Sequence, residues 1–160
     1  MLQYFPREPT YPIVAKSVAD IRAANTSHKK LGAIGFCWGA PSVLYLGSEN
    51  APKESQVDAV AFAHPSVIEA SDFEQVKVPG LYMCCEVDKQ FPKEKQEAAK
   101  LVAEKSAEEH DVFSKFVYFP RVTHGWSIKG DSENAYTAKA MRHAAAEAIS
   151  FFGLELSTSS

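Results

Sequence analysis

The chain reads as an α/β domain: a mostly parallel sheet of about four strands with helices on both faces. Three observations predict it. Short apolar runs at 31–36, 58–63, 78–87 and 114–119 lack the in-out alternation of a half-solvated strand. Stretches of helical spacing separate them, the pattern of strand-helix-strand crossovers. Finally, Cys37, His64, Asp88 and His124 all fall just past those runs, where parallel sheets gather their functional groups.

The elements follow in order. Residues 1–12, rich in proline and aromatics, read as an irregular lead-in. Helical spacing of Val14, Val18, Ile21 and Ala24 predicts a helix over 13–25, closed by Asn25-Thr26-Ser27. The run 31–36 is too short for a helix and reads as a buried strand. A helix over 39–47 tolerates Pro41 in its first turn, and a polar loop covers 48–56. The second strand ends at His64-Pro65, and the third is closed by Glu86-Val87-Asp88. Pro92 opens a helix to about Glu109 with Ala98, Leu101 and Val102 inward and Glu104, Glu108 and Glu109 solvated. After the fourth strand, 121–126 reads as a loop. Asp131-Ser132-Glu133 cap a final helix with the stripe Tyr136, Ala140, Met141, Ala144, Ala148 and Phe152, which Gly153 stops. The tail 155–160 is expected to be disordered. One domain over 13–154 accounts for the rest, without repeats or a linker.

Composition narrows the function. With 160 residues and 46% hydrophobic content the chain holds a core, and 23% charged residues suit a globular protein. A net charge of -3 offers no basic face for nucleic acid. No apolar run approaches the ~20 residues that span a bilayer, and the first residues lack the order of a signal peptide. Three cysteines, two of them adjacent at Cys84-Cys85, make no disulfide framework and read as reduced thiols of a cytoplasmic protein.

The chemistry centres on Gly35-Phe36-Cys37-Trp38-Gly39. A strand that stops at a residue between two glycines, with a helix behind, is a strand-to-helix elbow that exposes its central side chain in a strained turn. A thiol there is activated by a base and by the helix end. Taken alone, Cys37 reads as a small buried hydrophobe, Asp88 as a helix cap or solvated loop residue and His124 as a surface or satisfied histidine. Together they run nucleophile, acid, histidine at successive strand ends, the order of the α/β-hydrolase arrangement. In it His124 takes the Cys37 proton, Asp88 fixes the imidazole tautomer, and the Trp38 N–H serves as an oxyanion donor. His64 lacks metal-ligand spacing and is expected to be a pocket wall. Phe36, Trp38, Phe91 and Trp126 admit two readings, an aromatic pocket or core filling. Cys84 and Cys85 are expected to be packing residues, and Gly32, Gly35 and Gly39 do not make a phosphate loop.

These residues resemble the dienelactone hydrolase family, thiol members of the α/β-hydrolase fold. The resemblance covers about 13–154 and rests on the elbow, Ala61-Phe62-Ala63-His64-Pro65-Ser66, Glu86-Val87-Asp88-Lys89-Gln90-Phe91-Pro92 and Thr123-His124-Gly125-Trp126. The His-Pro-Ser stretch is similar to the branch common in fungi and other eukaryotes. The resemblance implies hydrolysis of small esters or lactones, with carboxymethylenebutenolide as the type substrate, by a Cys37-His124-Asp88 triad without metal or organic cofactor. Lys129 stands where many members carry an arginine that meets a substrate carboxylate, and it brings a point charge without the bidentate fork. Ala40 replaces the last glycine of the elbow. The resemblance also implies that the family's amino-terminal part is absent, with its first strands, an acidic residue near the nucleophile and the second oxyanion donor. Each such donor lowers the barrier by roughly 3 kcal/mol. The Cys37 strand then presents an open edge through which the chain could form a homodimer. The rival expectation is an inactive or weakly active α/β-hydrolase-fold protein that binds a ligand or partner. A thiol redox sensor ranks last, since Cys37 has no C-x-x-C partner.

Overall fold

The computed structural model of the protein describes residues 6–27 and 30–157. Four strands, β1 (Gly32–Phe36), β2 (Ala59–Ala63), β3 (Gly80–Val87) and β4 (Ser114–Thr123), form one sheet in the order β1-β2-β3-β4. Every neighbouring pair is parallel. Each connection must therefore cross from the carboxyl end of one strand to the amino end of the next, so the strand ends face one rim.

Alternate residues of the central strands sort the core into two layers. Val60, Phe62, Tyr82 and Cys84 face α1 (Tyr11–Ala24), α2 (Ala40–Leu46) and α3 (Lys93–His110). Ala59, Ala61, Ala63, Leu81, Met83 and Cys85 face α5 (Ala135–Glu155). The second face is built from small residues. Ala59, Ala61 and Ala63 meet Ala140 and Ala144, which brings the long α5 close to the sheet. A single turn, α4 (Trp126–Lys129), precedes it.

Several elements depart from the sequence expectation. The helix expected from residue 13 starts at Tyr11, after a 3-10 turn at Glu8–Thr10, so the lead-in is not irregular to its end; residues 1–5 lie outside the described residues. Ala15 is its buried position, while Ile21 is exposed. β1 is half-exposed rather than buried, because its place at the edge of the described sheet leaves Gly32 and Ile34 facing solvent. In α3 the buried positions are Ala99, Ala103 and Ser106; Leu101 points outward at 70% exposure. β4 runs on through Pro120 to Thr123, where a loop was expected; proline is tolerated because this is the other edge strand. The cap of α5 is Asn134, whose Oδ1 accepts from the N–H groups of Tyr136 and Thr137. Gly153 does not stop that helix, which continues to Glu155 as Phe152 and Leu156 pack on the core. Of the tail expected to be disordered, 158–160 lie outside the described residues.

Candidate active site

Cys37 sits where β1 turns sharply into a 3-10 turn (Cys37–Gly39) and then α2. Phe36 is still extended at φ -123°, and Cys37 follows at φ 51°, a left-handed conformation that costs an ordinary residue about 1 kcal/mol. Gly35 makes this possible: a Cβ there would lie 2.5 Å from the Gly39 carbonyl oxygen, so the chain folds back onto a bare backbone. Gly39 itself has φ -77° and open space where a Cβ would go. Of the two elbow glycines, the fold requires the first alone.

Asp88 and His124 arrive from the other side of the sheet. Between Cys85 and Val87 the β3–β4 register slips: two steps along β3 oppose the four from Phe119 to Thr123. Arg121 takes up the excess at φ 63°, its N–H donating to Glu86 Oε2 at 2.5 Å. This bulge carries β4 far enough for the His124 N–H to reach the Val87 carbonyl at 3.0 Å. Gly125 then turns at φ 87° into α4.

The three side chains meet. His124 Nδ1 lies 2.9 Å from Asp88 Oδ2, and His124 Nε2 lies 3.0 Å from Cys37 Sγ. Asp88 also accepts the backbone N–H groups of Gln90, at 2.8 Å, and Phe91, at 3.0 Å. With its carboxylate so saturated, Nδ1 is the donor to Asp88, and Nε2 faces the sulfur. Burial pushes Asp88 up, but the His124 bond and charge and the two backbone donors outweigh it and hold the carboxyl below its ordinary value. The bond to Asp88, opposed by burial and aided by Cys37, raises His124 to about 9. Burial pushes the Cys37 thiol up; the hydrogen bonds from Ser66 and His124, the His124 charge and the Trp38 backbone N–H outweigh it, so the thiol sits below its ordinary value. The two shifts run in opposite directions across one 3.0 Å contact, each group favouring the charged form of the other.

Other expected site residues distribute unevenly around this centre. The Trp38 N–H is turned to the sulfur, and its indole is partly exposed on the same rim. His64 is fully buried at φ 40°, its ring centroid 5.2 Å from that of His124 and 6.0 Å from that of Phe36. Its Nε2 meets Ser127 Oγ at 2.7 Å, while Nδ1 has no partner among the described residues. Burial, then the His124 charge, lowers His64 to about 4, so this ring is neutral. Phe91 and Trp126 are core side chains, 1% and 2% exposed, Trp126 packing on Phe119 with centroids 4.4 Å apart. For these two the structure displays core filling rather than a pocket wall. Lys129 ends α4 as an exposed side chain. Ser66 and Ser127 were not singled out as site residues from the sequence. Ser127 directly follows Trp126 and Ser66 lies two residues past His64, which is the signal available for them.

The chain is similar to known proteins along most of its length. The model of the dienelactone hydrolase family matches residues 6–156. Hydrolase tropI of Talaromyces stipitatus is 29% identical over 145 residues, covering 91% of this chain and 53% of that protein. Dienlactone hydrolase 1 of Gibberella moniliformis is 33% identical over 123 residues, covering 76% of this chain and 44% of that protein. The chain thus spans about half the length of the curated relatives it matches. Among solved structures, a putative dienelactone hydrolase from Klebsiella pneumoniae superposes with a TM-score of 0.67 at 16% identity, over 86% of this chain and 58% of that one. Esterase 2 of Thermogutta terrifontis, phosphonylated by cyclosarin, superposes with a TM-score of 0.68 at 16% identity, over 91% of this chain and 64% of that one. Both share the α/β-hydrolase fold with it.

Proposed function

The chain belongs to the dienelactone hydrolase family, and from that premise we propose that it hydrolyses small esters or lactones through a Cys37-His124-Asp88 triad. One observation carries the reading: a single imidazole spans Cys37 Sγ at 3.0 Å and Asp88 Oδ2 at 2.9 Å, drawn from three separate strand ends.

In the proposed reaction the Cys37 proton passes to His124 Nε2. The thiolate attacks the carbonyl carbon, forming a C–S bond and pushing the carbonyl electrons onto oxygen, which the Trp38 N–H stabilises. As the carbonyl re-forms, the C–O bond to the leaving group breaks and His124 protonates the departing alkoxide. Neutral His124 then takes a proton from water, and the resulting hydroxide adds to the thioester. Collapse breaks the C–S bond, returns the electron pair to sulfur and releases the carboxylic acid. Asp88 keeps Nδ1 protonated throughout. No step uses a metal or organic cofactor.

The test is mass spectrometry of the intact protein mixed briefly with p-nitrophenyl acetate, beside Cys37→Ser and His124→Ala. The expected result is an acyl mass on Cys37 that clears with time and depends on His124. A label that never forms, or persists equally in the parent and His124→Ala, overturns the proposal. A second reading, ligand or partner binding without turnover, is favoured by the edge position of β1 and the exposure of Ile34 on it. A homodimer through that edge predicts concentration-dependent mass in light scattering. The proposed location is the cytoplasm, resting on three free thiols; no helix among the described residues is long and apolar enough to cross a membrane.

A further inference from the structure

The turn after β2 departs most from relaxed backbone. Within four residues it holds two non-glycine residues in the left-handed region, His64 at φ 40° and Val67 at φ 51°. Such a conformation persists only where surrounding bonds over-determine it. Here they do. The His64 N–H donates to the Met83 carbonyl at 3.0 Å, and the Ser66 N–H donates to the Cys37 carbonyl at 3.0 Å. Arg7 Nη1 donates to the Val67 carbonyl at 2.8 Å while its guanidinium grips both oxygens of Asp72. Pro65, buried between them, fixes one more φ.

The strain has a consequence at the sulfur. The bond from Ser66 N–H to the Cys37 carbonyl ties the turn to the elbow, and the Ser66 side chain then lies across it. Ser66 is 6% exposed, and its Oγ stands 3.5 Å from Cys37 Sγ. Among the described residues that sulfur is the partner of this hydroxyl. A thiolate has no proton to give, so once Cys37 ionises the hydroxyl must be the donor. His124 approaches the same sulfur from the β4 side, so the thiolate would be held between two donors from opposite walls.

We propose that Ser66 is a further catalytic residue, its hydroxyl donating to Cys37 Sγ to hold the thiolate once it forms and to receive the sulfur again when the thioester breaks. The first half stands on the geometry alone; the second rests on the hydrolase reading. In that second half the tetrahedral adduct collapses, the carbonyl re-forms, the C–S bond breaks, and its electron pair goes to a sulfur already faced by the Ser66 O–H and by His124, protonated by the attacking water. The titratable groups around this sulfur are His124, with Asp88 and neutral His64 packed behind it.

The test is the pH profile of Cys37 alkylation by iodoacetamide, read as mass on the Cys37 peptide, a chemistry that needs no ester turnover. Hydrogen bonds to charged groups are strong enough that losing one should raise the alkylation midpoint by about one pH unit in Ser66→Ala. Ser66→Thr, which keeps the hydroxyl, should retain the parent midpoint, and Ser66→Val should follow Ser66→Ala. A native melting curve with an unmoved midpoint in Ser66→Ala overturns the proposal. Should that variant not fold, the Thr and Val variants read the same quantity, and equal midpoints in those two overturn it. The second half is read by clearance of the acyl mass, expected about tenfold slower in Ser66→Ala. If p-nitrophenyl acetate leaves no mass on the parent but the alkylation midpoint moves, the hydrolase reading falls and the thiolate contact stands. If acylation and clearance proceed but the midpoint does not move, Ser66 falls alone.

Discussion

The elbow after β1 and the middle of β3 hold the same functional group in opposite states. Cys84 and Cys85 lie within a strand, 4% and 0% exposed, with each side chain pressed into one of the two core layers. Burial pushes Cys84 up to about 12, and burial with the Asp88 charge pushes Cys85 higher still. Cys37 stands one residue past a strand end, at positive φ, where the Ser66 hydroxyl, the His124 imidazole and a backbone N–H reach its sulfur. A thiol inside a ladder meets buried surroundings that penalise charge, and at Cys85 the Asp88 carboxylate adds to the penalty. A thiol thrust out of the ladder meets polar groups that the crossover topology delivers to the same rim. The difference lies in position along the strand, not in the residue.

The sharpest way to break this comparison is to count reactive thiols. At neutral pH a thiol held at about 12 has a thiolate fraction near 10⁻⁵, so Cys84 and Cys85 should react with a disulfide reagent more than about 1,000-fold slower than Cys37. One fast thiol per native chain is expected, three after denaturation, and no fast thiol in Cys37→Ala. Two or three fast thiols in the native parent would erase the distinction.

A smaller effect separates the contributors at the elbow. His124→Ala removes a bond and a positive charge from the Cys37 sulfur, and opposite charges at this range shift a titration by about one to three pH units. Alkylation of Cys37 at pH 7 should therefore fall about tenfold or more, with the plateau at high pH unchanged. A fall that persists equally at high pH would point to altered access instead.

What the sequence made legible were the strand ends. Apolar runs closed by Cys37, His64, Asp88 and the His124 loop placed four polar groups on one rim before any contact was known. The order of strands is a different kind of information. A short apolar run does not say whether it is central or at an edge, so the exposure of Ile34 could not be read locally. In α3 the alanines at 98, 99 and 103 fit several phases of a 3.6-residue period, and Leu101 attracted the wrong one. The reach of β4 depends on the bulge at Arg121, a device without a residue signature of its own. The role of Ser66 is not legible in its motif, because it comes from a bond between its N–H and the Cys37 carbonyl across the rim.

Asp88→Asn probes the same rim one step further from the sulfur. Asp88 is the largest cause of the rise of His124 to about 9. A raised histidine is protonated below that value and loses its proton as pH rises through it. With an alkyl ester, acylation needs that proton for the leaving alkoxide, so the single-turnover rate should fall on the alkaline side with a limb near 9. In Asp88→Asn the limb should move toward the ordinary histidine value by about one to two pH units, with a lower plateau as the ring loses its tautomer. A limb that stays in place in the variant would assign it to another group.

The smallest expected effect completes the comparison from the buried side. Cys84 lies at the base of an open cleft between β4 and α3, together with Phe116 and Tyr118. Removing its sulfur in Cys84→Ala enlarges that space and deletes packing atoms, a loss of about 1 kcal/mol in unfolding free energy. Cys84 packs in the layer that α2 also covers, but it makes no hydrogen bond to Asp88, whereas Cys85 Sγ lies 3.5 Å from Asp88 Oδ2. Cys84→Ala should therefore lower the urea midpoint while leaving the Cys37 alkylation profile within about twofold of the parent. If the profile moved with stability, reactivity at the elbow would depend on packing throughout the sheet, and the strand-end position would not be enough to explain it.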